Sequence, residues 1–440
     1  MEDGLTPEDL LEKVKRRDFT LGVVGLGRVG LPLAMAFASR GIRTIGMDLD
    51  ENRVSDIGRG TMPFREVGAE EVLQGLNGSD VLRVTNNYAD LREADAIFLT
   101  VGTVLNAESR PDYSQLNAAL SGLAEALRPV QIIMLRSTVA PGTLLKVVKP
   151  FMERTLKVKV GQDVLLASTP ERIASGIALK ELPMLPEITG GADEFSSQVA
   201  AEVLKCLNPD KLVSTTTSTS AELAKLFTNV YRYVTFALAN EFALLAEVHG
   251  QDAHEIIRMA NANYPRGGIP LPGPCGGPCL TKDGYFLVED LIFPDFILTA
   301  WKLNEGVPAH MVRRLRQSLD RRGRPLSDAT VIVLGMGFKA ESDDIRMSPA
   351  IRTAELLRAE GAAVTVCDPY FETPEIASVI KEADAVVLAT NHAAFLGLDL
   401  EAVARLDPPP VLVDYWGVWD EERAKAAGIE LITFGKGDGV

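Results

Sequence analysis

A thiol, an ammonium and a carboxylate follow one another closely in the stretch Pro272-Gly-Pro-Cys275-Gly276-Gly277-Pro-Cys279-Leu-Thr-Lys282-Asp283. Glycine-rich backbone lets a ligand or another segment approach closely. A neighbouring cation favours the thiolate of a cysteine, whose unperturbed pKa is ~8.5, and an adjacent carboxylate can carry protons. Cys279 is therefore a candidate nucleophile. Four further stretches carry polar residues where a purely structural reading is uncomfortable. They are Arg136-Ser-Thr138 at a strand end, Ser168-Thr-Pro-Glu171-Arg172 at the next, Glu222-x-x-Lys225-x-x-x-Asn229 on a helix, and Gly337-Phe338-Lys339 running on to Asp343 and Arg346. Lys225 and Asn229 share one helix face.

A second constellation is Gly25-x-Gly27-x-x-Gly30, with Arg28 and Val29 between its last two glycines. An apolar strand precedes it, a helix follows, and Asp48 lies 18 residues past the final glycine, as a dinucleotide-binding turn requires. The glycines would let a pyrophosphate reach the backbone at a helix N-terminus, and Asp48 would accept from both ribose hydroxyls. A carboxylate there repels a 2′-phosphate, so NAD is expected rather than NADP, with Arg53 close enough to soften the exclusion.

The elements that must position these groups are legible as apolar runs. Phe19 to Val24, Arg43 to Met47, Ala96 to Val101, Gln131 to Leu135 and Val164 to Ala167 read as buried strands alternating with helical stretches such as Tyr113 to Arg128. The carboxyl end repeats the plan with strands Ala329 to Leu334 and Ala363 to Cys367, a turn at Gly335-Met-Gly337 and a helix from Pro349 to Glu360. Even the wording recurs, Glu93-Ala-Asp-Ala at one end and Glu382-Ala-Asp-Ala at the other. Between them, Ser218 to His249 has helical spacing and no Gly or Pro, giving one helix of about 30 residues. The expected fold is α/β, two Rossmann-like doubly wound parallel-sheet domains joined by a long central helix and a helical middle domain. Boundaries fall at 1–212, 213–322 and 323–440, the last marked by Arg321-Arg-Gly-Arg-Pro325.

With 440 residues, 46% of them hydrophobic, the chain has material for two or three cores. Its 60 acidic and 45 basic residues give a net charge of -15, which argues against nucleic-acid or anionic-membrane surfaces. No apolar run is long enough to span a bilayer and the acidic start lacks a secretion signal, so a cytoplasmic protein is expected. Four cysteines are too few for a disulfide framework, and no second Cys or His pair joins Cys275 and Cys279 to make a metal site.

Taken in order, these motifs closely resemble the UDP-glucose/GDP-mannose dehydrogenase family, the nucleotide-sugar 6-dehydrogenases, over essentially the whole chain after about residue 18. The resemblance implies oxidation of a sugar C6 alcohol to a carboxylate with two NAD molecules. Lys225, with Asn229, would steady the developing alkoxide while Asp283 handles protons through water. Cys279 would then capture the aldehyde as a thiohemiacetal, and Glu171 with Thr138 would align the water that hydrolyses the resulting thioester. The resemblance also places Thr103, Thr138, Lys282 and Arg346 on the cofactor side. Glu171, Arg172, Lys225, Asn229, Arg266, Gly276, Gly277, Phe338 and Lys339 fall on the side of a UDP-sugar, Arg266 reaching the neighbouring subunit's substrate in a homodimer built through the central helix.

Pro278 and Thr281 stand where relatives carry Ser or His and Pro, and Arg136 where many carry an acid. The Pro-Glu-Arg172 wording is closer to enzymes of UDP-N-acetylhexosamines, whereas Cys279-x-x-Lys282-Asp283 is closer to those of UDP-glucose or GDP-mannose. Two other readings stay open, a single-step 3-hydroxyacid dehydrogenase, which leaves Cys279 without a role, and a nucleotide-sugar-binding protein without activity.

Overall fold

The computed structural model describes residues 5–289 and 291–437. Its contacts separate into two compact units, one running to Thr228 and including a short stretch from Tyr285, the other comprising Asn229–Gly284 and the chain from Leu291 onward.

The first unit is organised by strands β1 (Thr20–Val24), β2 (Arg43–Met47), β3 (Leu82–Thr85) and β4 (Ala96–Leu99), a two-stranded ribbon β5 (Val104–Leu105) and β6 (Pro111–Asp112), and strands β7 (Gln131–Leu135), β8 (Val164–Ser168), β9 (Glu187–Gly191) and β10 (Val213–Thr217). Apart from the ribbon they form one sheet in the order β10-β9-β8-β7-β4-β1-β2-β3. From β3 to β8 every neighbour is parallel and the order is that of a dinucleotide-binding fold. β9 then pairs antiparallel with β8, and β10 parallel with β9. β1, β4, β7 and β8 are buried along their whole length, which is why their sequences are continuous apolar runs and not alternating ones.

In the second unit β11 (Thr330–Leu334), β12 (Ala363–Cys367), β13 (Ala385–Leu388), β14 (Val411–Asp414) and β15 (Leu431–Thr433) make a wholly parallel sheet ordered β12-β11-β13-β14-β15. This is the other common doubly wound order. The helix Asp295–Arg321 lays Val307, Met311, Leu315 and Leu319 against Val331 and Val333 of β11 and against Ala354 and Leu357 of the helix Pro349–Ala359. The same unit thus holds the middle helices and the carboxyl-terminal sheet. The long helix runs unbroken over Ser218–Val248, 31 residues, and the division between the units falls within it.

The two sheets repeat one local device. Register ends β1 level with β2, so that Gly25 N–H donates to Met47 O at 2.8 Å and Leu26 N–H to Asp48 Oδ2 at 2.7 Å. In the second sheet Gly335 N–H donates to Cys367 O at 2.8 Å and Met336 N–H to Asp368 Oδ2 at 2.6 Å. Both turn glycines have left-handed φ, 92° and 94°, as the reversal out of a strand demands. One helix is shorter than its sequence suggested. Expected over Tyr113–Arg128, it covers Ser114–Leu123, because Gly122 brings the backbone against the Tyr88 ring and glycine favours unwinding there.

No helix among the described residues is long and apolar enough to cross a membrane. Among them, too, no group of His, Cys, Asp or Glu side chains is placed to hold a metal ion.

Candidate active site

In the first unit the three fingerprint glycines have separable reasons. Gly25 supplies the turn. A Cβ on Gly30 would lie 1.8 Å from Gly25 O and 2.5 Å from Thr100 Oγ1, so the third glycine is what lets the buried helix Gly30–Ala38 sit against the strand ends. A Cβ on Gly27 would meet nothing within 4 Å. The space over Gly27 is thus open, and its backbone can be approached closely, as the pyrophosphate of a dinucleotide requires of such a turn. Asp48, buried at the end of β2, accepts from Leu26 N–H, from Asp50 N–H at 3.0 Å and from Arg53 Nη1 at 2.9 Å. Arg28 stacks its guanidinium over Phe64, 5.0 Å from the ring centre. Thr103 donates through Oγ1 to Thr138 O at 2.5 Å, tying the two residues at the ends of β4 and β7.

Glu171 follows β8 and is nearly fully buried, with Arg136 Nε donating to its Oε2 at 2.7 Å. Arg172 turns its side chain to Pro186 O at 3.1 Å. Glu222, buried on the long helix, accepts from Gly142 N–H, Leu144 N–H and Ser168 Oγ at 2.6, 3.1 and 2.8 Å. Burial pushes its carboxyl above the usual range, partly opposed by those bonds. It clamps the Thr138–Leu144 turn to β8 and to the helix that carries Lys225.

In the second unit the cysteine loop is fastened at four points. Gly273 N–H donates to Asn240 Oδ1 at 2.9 Å, and Asn240 is held by the buried Asn304. Gly277 N–H donates to Met347 O at 3.0 Å. Trp301 Nε1 donates to Thr281 O at 2.6 Å, and Thr281 Oγ1 closes back on Gly277 O at 2.8 Å. Asn229 Nδ2 donates to Asp283 Oδ2 at 2.6 Å, while Lys282 Nζ takes Asp283 Oδ1 at 2.7 Å. Thr281 thus gives the loop a hydroxyl bond where a proline would have given only a fixed φ.

The glycine pair in this loop serves close packing. A Cβ on Gly276 would lie 2.4 Å from Pro349 Cδ and 2.5 Å from Met347 O, and one on Gly277, whose φ is +94°, 2.8 Å from the Phe338 ring. The loop therefore rests directly on the segment Phe338–Pro349, bringing Gly276, Gly277, Phe338 and Cys279 together. Lys339 lies 6.0 Å from the Phe338 ring centre. Gly276→Ala should accordingly displace the loop and lower kcat by roughly 100-fold, with the far-UV circular dichroism unchanged.

Cys279 is exposed and caps the short helix Leu280–Asp283. Arg346, bound by both nitrogens to Asp344 at 2.8 and 2.6 Å, lies within electrostatic reach of the Cys279 sulfur. The sequence offered Lys225 and Lys282 as the cations that would activate this thiol. It gave Arg346 only to a diphosphate or cofactor. Its spacing of some 67 residues from the cysteine hides this through-space proximity, which accompanies the packing of Gly276 on Met347 and Pro349. Cys275, by contrast, is enclosed, and burial pushes its thiol up to about 12; burial also raises Cys206 and Cys367. At pH 8, iodoacetamide should therefore alkylate Cys279 alone of the four, read by peptide mass spectrometry.

Arg266 is exposed, its Nε donating to Tyr264 Oη at 2.9 Å and its guanidinium 4.9 Å from that ring's centre. In the second sheet Asp368 accepts from Met336 and Tyr370 N–H, and the fully buried His392 approaches it at 3.3 Å. Burial alone would raise the Asp368 carboxyl; the bonds from His392 and the backbone hold it below the usual range. The acids at the two strand ends are thus both held by protein groups, with Arg53 as the cation at Asp48 and His392 as the neighbour of Asp368.

Family models match three consecutive parts of the chain. They are the NAD binding domain of the UDP-glucose/GDP-mannose dehydrogenase family over residues 19–208, its central domain over 219–305 and its UDP binding domain over 332–421. The UDP-N-acetyl-D-mannosamine dehydrogenase of Pyrococcus horikoshii is 33% identical over 399 residues, covering 90% of this chain and 94% of that protein. The chain belongs to the UDP-glucose/GDP-mannose dehydrogenase family. This dehydrogenase is an oxidoreductase of nucleotide sugars with NAD as its cofactor. It is also 29% identical over 428 residues to the NDP-N-acetyl-D-galactosaminuronic acid dehydrogenase of Ralstonia nicotianae, covering 92% of this chain and 98% of that one. The solved UDP-D-ManNAc dehydrogenase from P. horikoshii superposes on the dehydrogenase with a TM-score of 0.89 at 32% identity, covering 95% of this chain and all of that one.

Proposed function

We propose that the dehydrogenase oxidises C6 of a UDP-N-acetylhexosamine, UDP-N-acetyl-D-mannosamine first among them, to the uronate through a covalent adduct on Cys279. The observation that carries this reading is the exposed Cys279 beside Arg346, on a loop whose Asp283 is bonded by both Asn229 and Lys282. The relatives' names bear on the sugar.

In the proposed reaction NAD, when bound, accepts the hydride in both oxidations. Lys225 and Asn229, one turn apart on the long helix, steady the alkoxide oxygen of the first. Asp283 passes the hydroxyl proton outward through water, Asn229 and Lys282 fixing the two oxygens of its carboxylate. Arg346 then favours the Cys279 thiolate, which adds to the aldehyde and prevents its release. After the second hydride leaves, the acyl group is a thioester, and water aligned by Glu171 and Thr138 displaces the sulfur. Lys339, Phe338 and the Gly276-Gly277 backbone would cradle the diphosphate end of the substrate, with Arg172 and Arg346 adding positive charge. A single-step hydroxyacid dehydrogenase would need neither Cys279 nor the second sheet.

The dimer belongs to the same proposal. Phe227, Tyr231, Leu238, Leu245 and Val248 of the long helix are each at least half exposed and recur at intervals of four, seven, seven and three residues. That is the spacing of one apolar seam, suited to a second copy of the helix. Across it the exposed, Tyr264-braced Arg266 would reach the partner's substrate. An NADH-release screen over UDP-N-acetyl-D-mannosamine, UDP-N-acetylglucosamine, UDP-galactose, UDP-glucose and GDP-mannose tests the substrate. The reading expects UDP-N-acetyl-D-mannosamine to give the highest kcat/KM, and a preference for UDP-glucose or GDP-mannose would overturn it.

A further inference from the structure

Beneath Glu171 lies a buried set of charges that the proposed chemistry does not use. Arg136, at the end of β7, is fully buried. Its Nη1 donates to Glu187 Oε2 at 2.8 Å and to Thr169 O at 3.0 Å, and its Nη2 to Glu187 Oε1 at 2.9 Å, while Nε serves Glu171. Lys211 Nζ stands 3.2 Å from Glu187 Oε1 and also donates to Leu182 O. Two cations thus face two carboxylates in a buried site, the balance that makes buried charge tolerable. Glu187 opens β9 and Lys211 just precedes β10, so the two strands that run against the rest of the sheet are the ones that hold the arginine.

Glu171 is gripped from both sides. Its Oε1 accepts from Arg172 N–H at 2.6 Å and Ile173 N–H at 2.9 Å, and its Oε2 from Arg136. A carboxylate has about four acceptor positions. The bonds named take three, and what remains on Oε2 points in one direction.

We infer that Arg136, braced by Glu187 and Lys211, is a positioning residue that holds Glu171 in one orientation, so that Glu171 aligns a single water for thioester hydrolysis and does not swing to take up its proton. The inference rests on the function proposed above. Its chemistry balances without a proton on Glu171. The water oxygen bonds to the acyl carbon and the carbon–sulfur bond breaks. One water proton goes to the Cys279 sulfur, and the other leaves as the released acid ionises. Lysine at position 136 would keep the charge but not the fork, and could not serve both carboxylates.

The test uses the full-length enzyme with NAD and UDP-N-acetyl-D-mannosamine, quenched in acid during turnover for intact mass, beside steady-state kinetics. Arg136→Lys and Lys211→Gln should lower kcat by roughly 10- to 100-fold, leave both KM values within about twofold, and accumulate an acyl adduct on Cys279. Lys211→Arg should restore the wild-type rate. Where Arg136→Lys does not fold, Lys211→Gln, bonded to neither Glu171 nor Arg136, gives the same reading from one contact further out. Folded variants with wild-type kcat, or slowed variants without the adduct, overturn the inference. A wild-type enzyme that never forms the Cys279 adduct removes instead the function on which it rests.

Discussion

Cys279→Ser should fold normally, bind NAD and a UDP-sugar, and make uronate on the order of a thousandfold more slowly or worse, the scale seen when a covalent nucleophile is removed. The serine oxygen is a far weaker nucleophile at neutral pH, and Arg346 cannot compensate for that. Its guanidinium is already engaged by Asp344 and acts on position 279 as a through-space charge. In the proposed reaction the alcohol-to-aldehyde step relies on Lys225, Asn229 and Asp283, all left in place. The variant should therefore retain a slow release of NADH while the acid product is lost, measured by product mass beside absorbance. Unchanged uronate formation would exclude a covalent role for the cysteine.

Gly30→Ala should be the most damaging small substitution in the first unit. Its methyl group would lie 1.8 Å from Gly25 O, backbone that cannot rotate away, so the helix Gly30–Ala38 must withdraw from β1. That helix is buried on every side. Overpacking of this kind costs about 3 kcal/mol, a fall of roughly 6–12 °C in Tm for a unit of this size. Withdrawal also moves the helix N-terminus from the pyrophosphate, and NAD affinity should fall by about 100-fold. Calorimetric titration with NAD checks the second effect and a thermal melt the first. Gly27→Ala is the informative contrast. Its methyl would meet no protein atom within 4 Å, so it should leave Tm unchanged and weaken NAD alone.

Much of this was legible in the chain because the signals are local. A glycine needed at a strand end, a continuous apolar run for a strand buried on both faces, and a stretch from Ser218 onward free of Gly and Pro each depend on a few neighbouring residues. The long helix ends at Val248, one residue from the expected His249. What stayed hidden depends on distant segments. Nothing near Glu187 or Lys211 in sequence shows that both will be buried around Arg136, since the meeting is made by β7, β9 and the approach to β10. The reversal of β9 against β8 likewise leaves no mark in the composition of either strand. Thr281 and Pro278 looked like departures whose effect on the loop could not be drawn from the sequence. For Thr281 the structure supplies the reason, a hydroxyl bond to Gly277 O beneath Trp301; for Pro278 it shows none.

The central claim is that one sugar gives up two hydrides at one site, with Cys279 holding the intermediate between them. Counting NADH against uronate with limiting UDP-N-acetyl-D-mannosamine tests it most directly. The account predicts two NADH for each uronate and no free aldehyde at any time. One NADH per sugar, with a free aldehyde or ketone as the product, would contradict it.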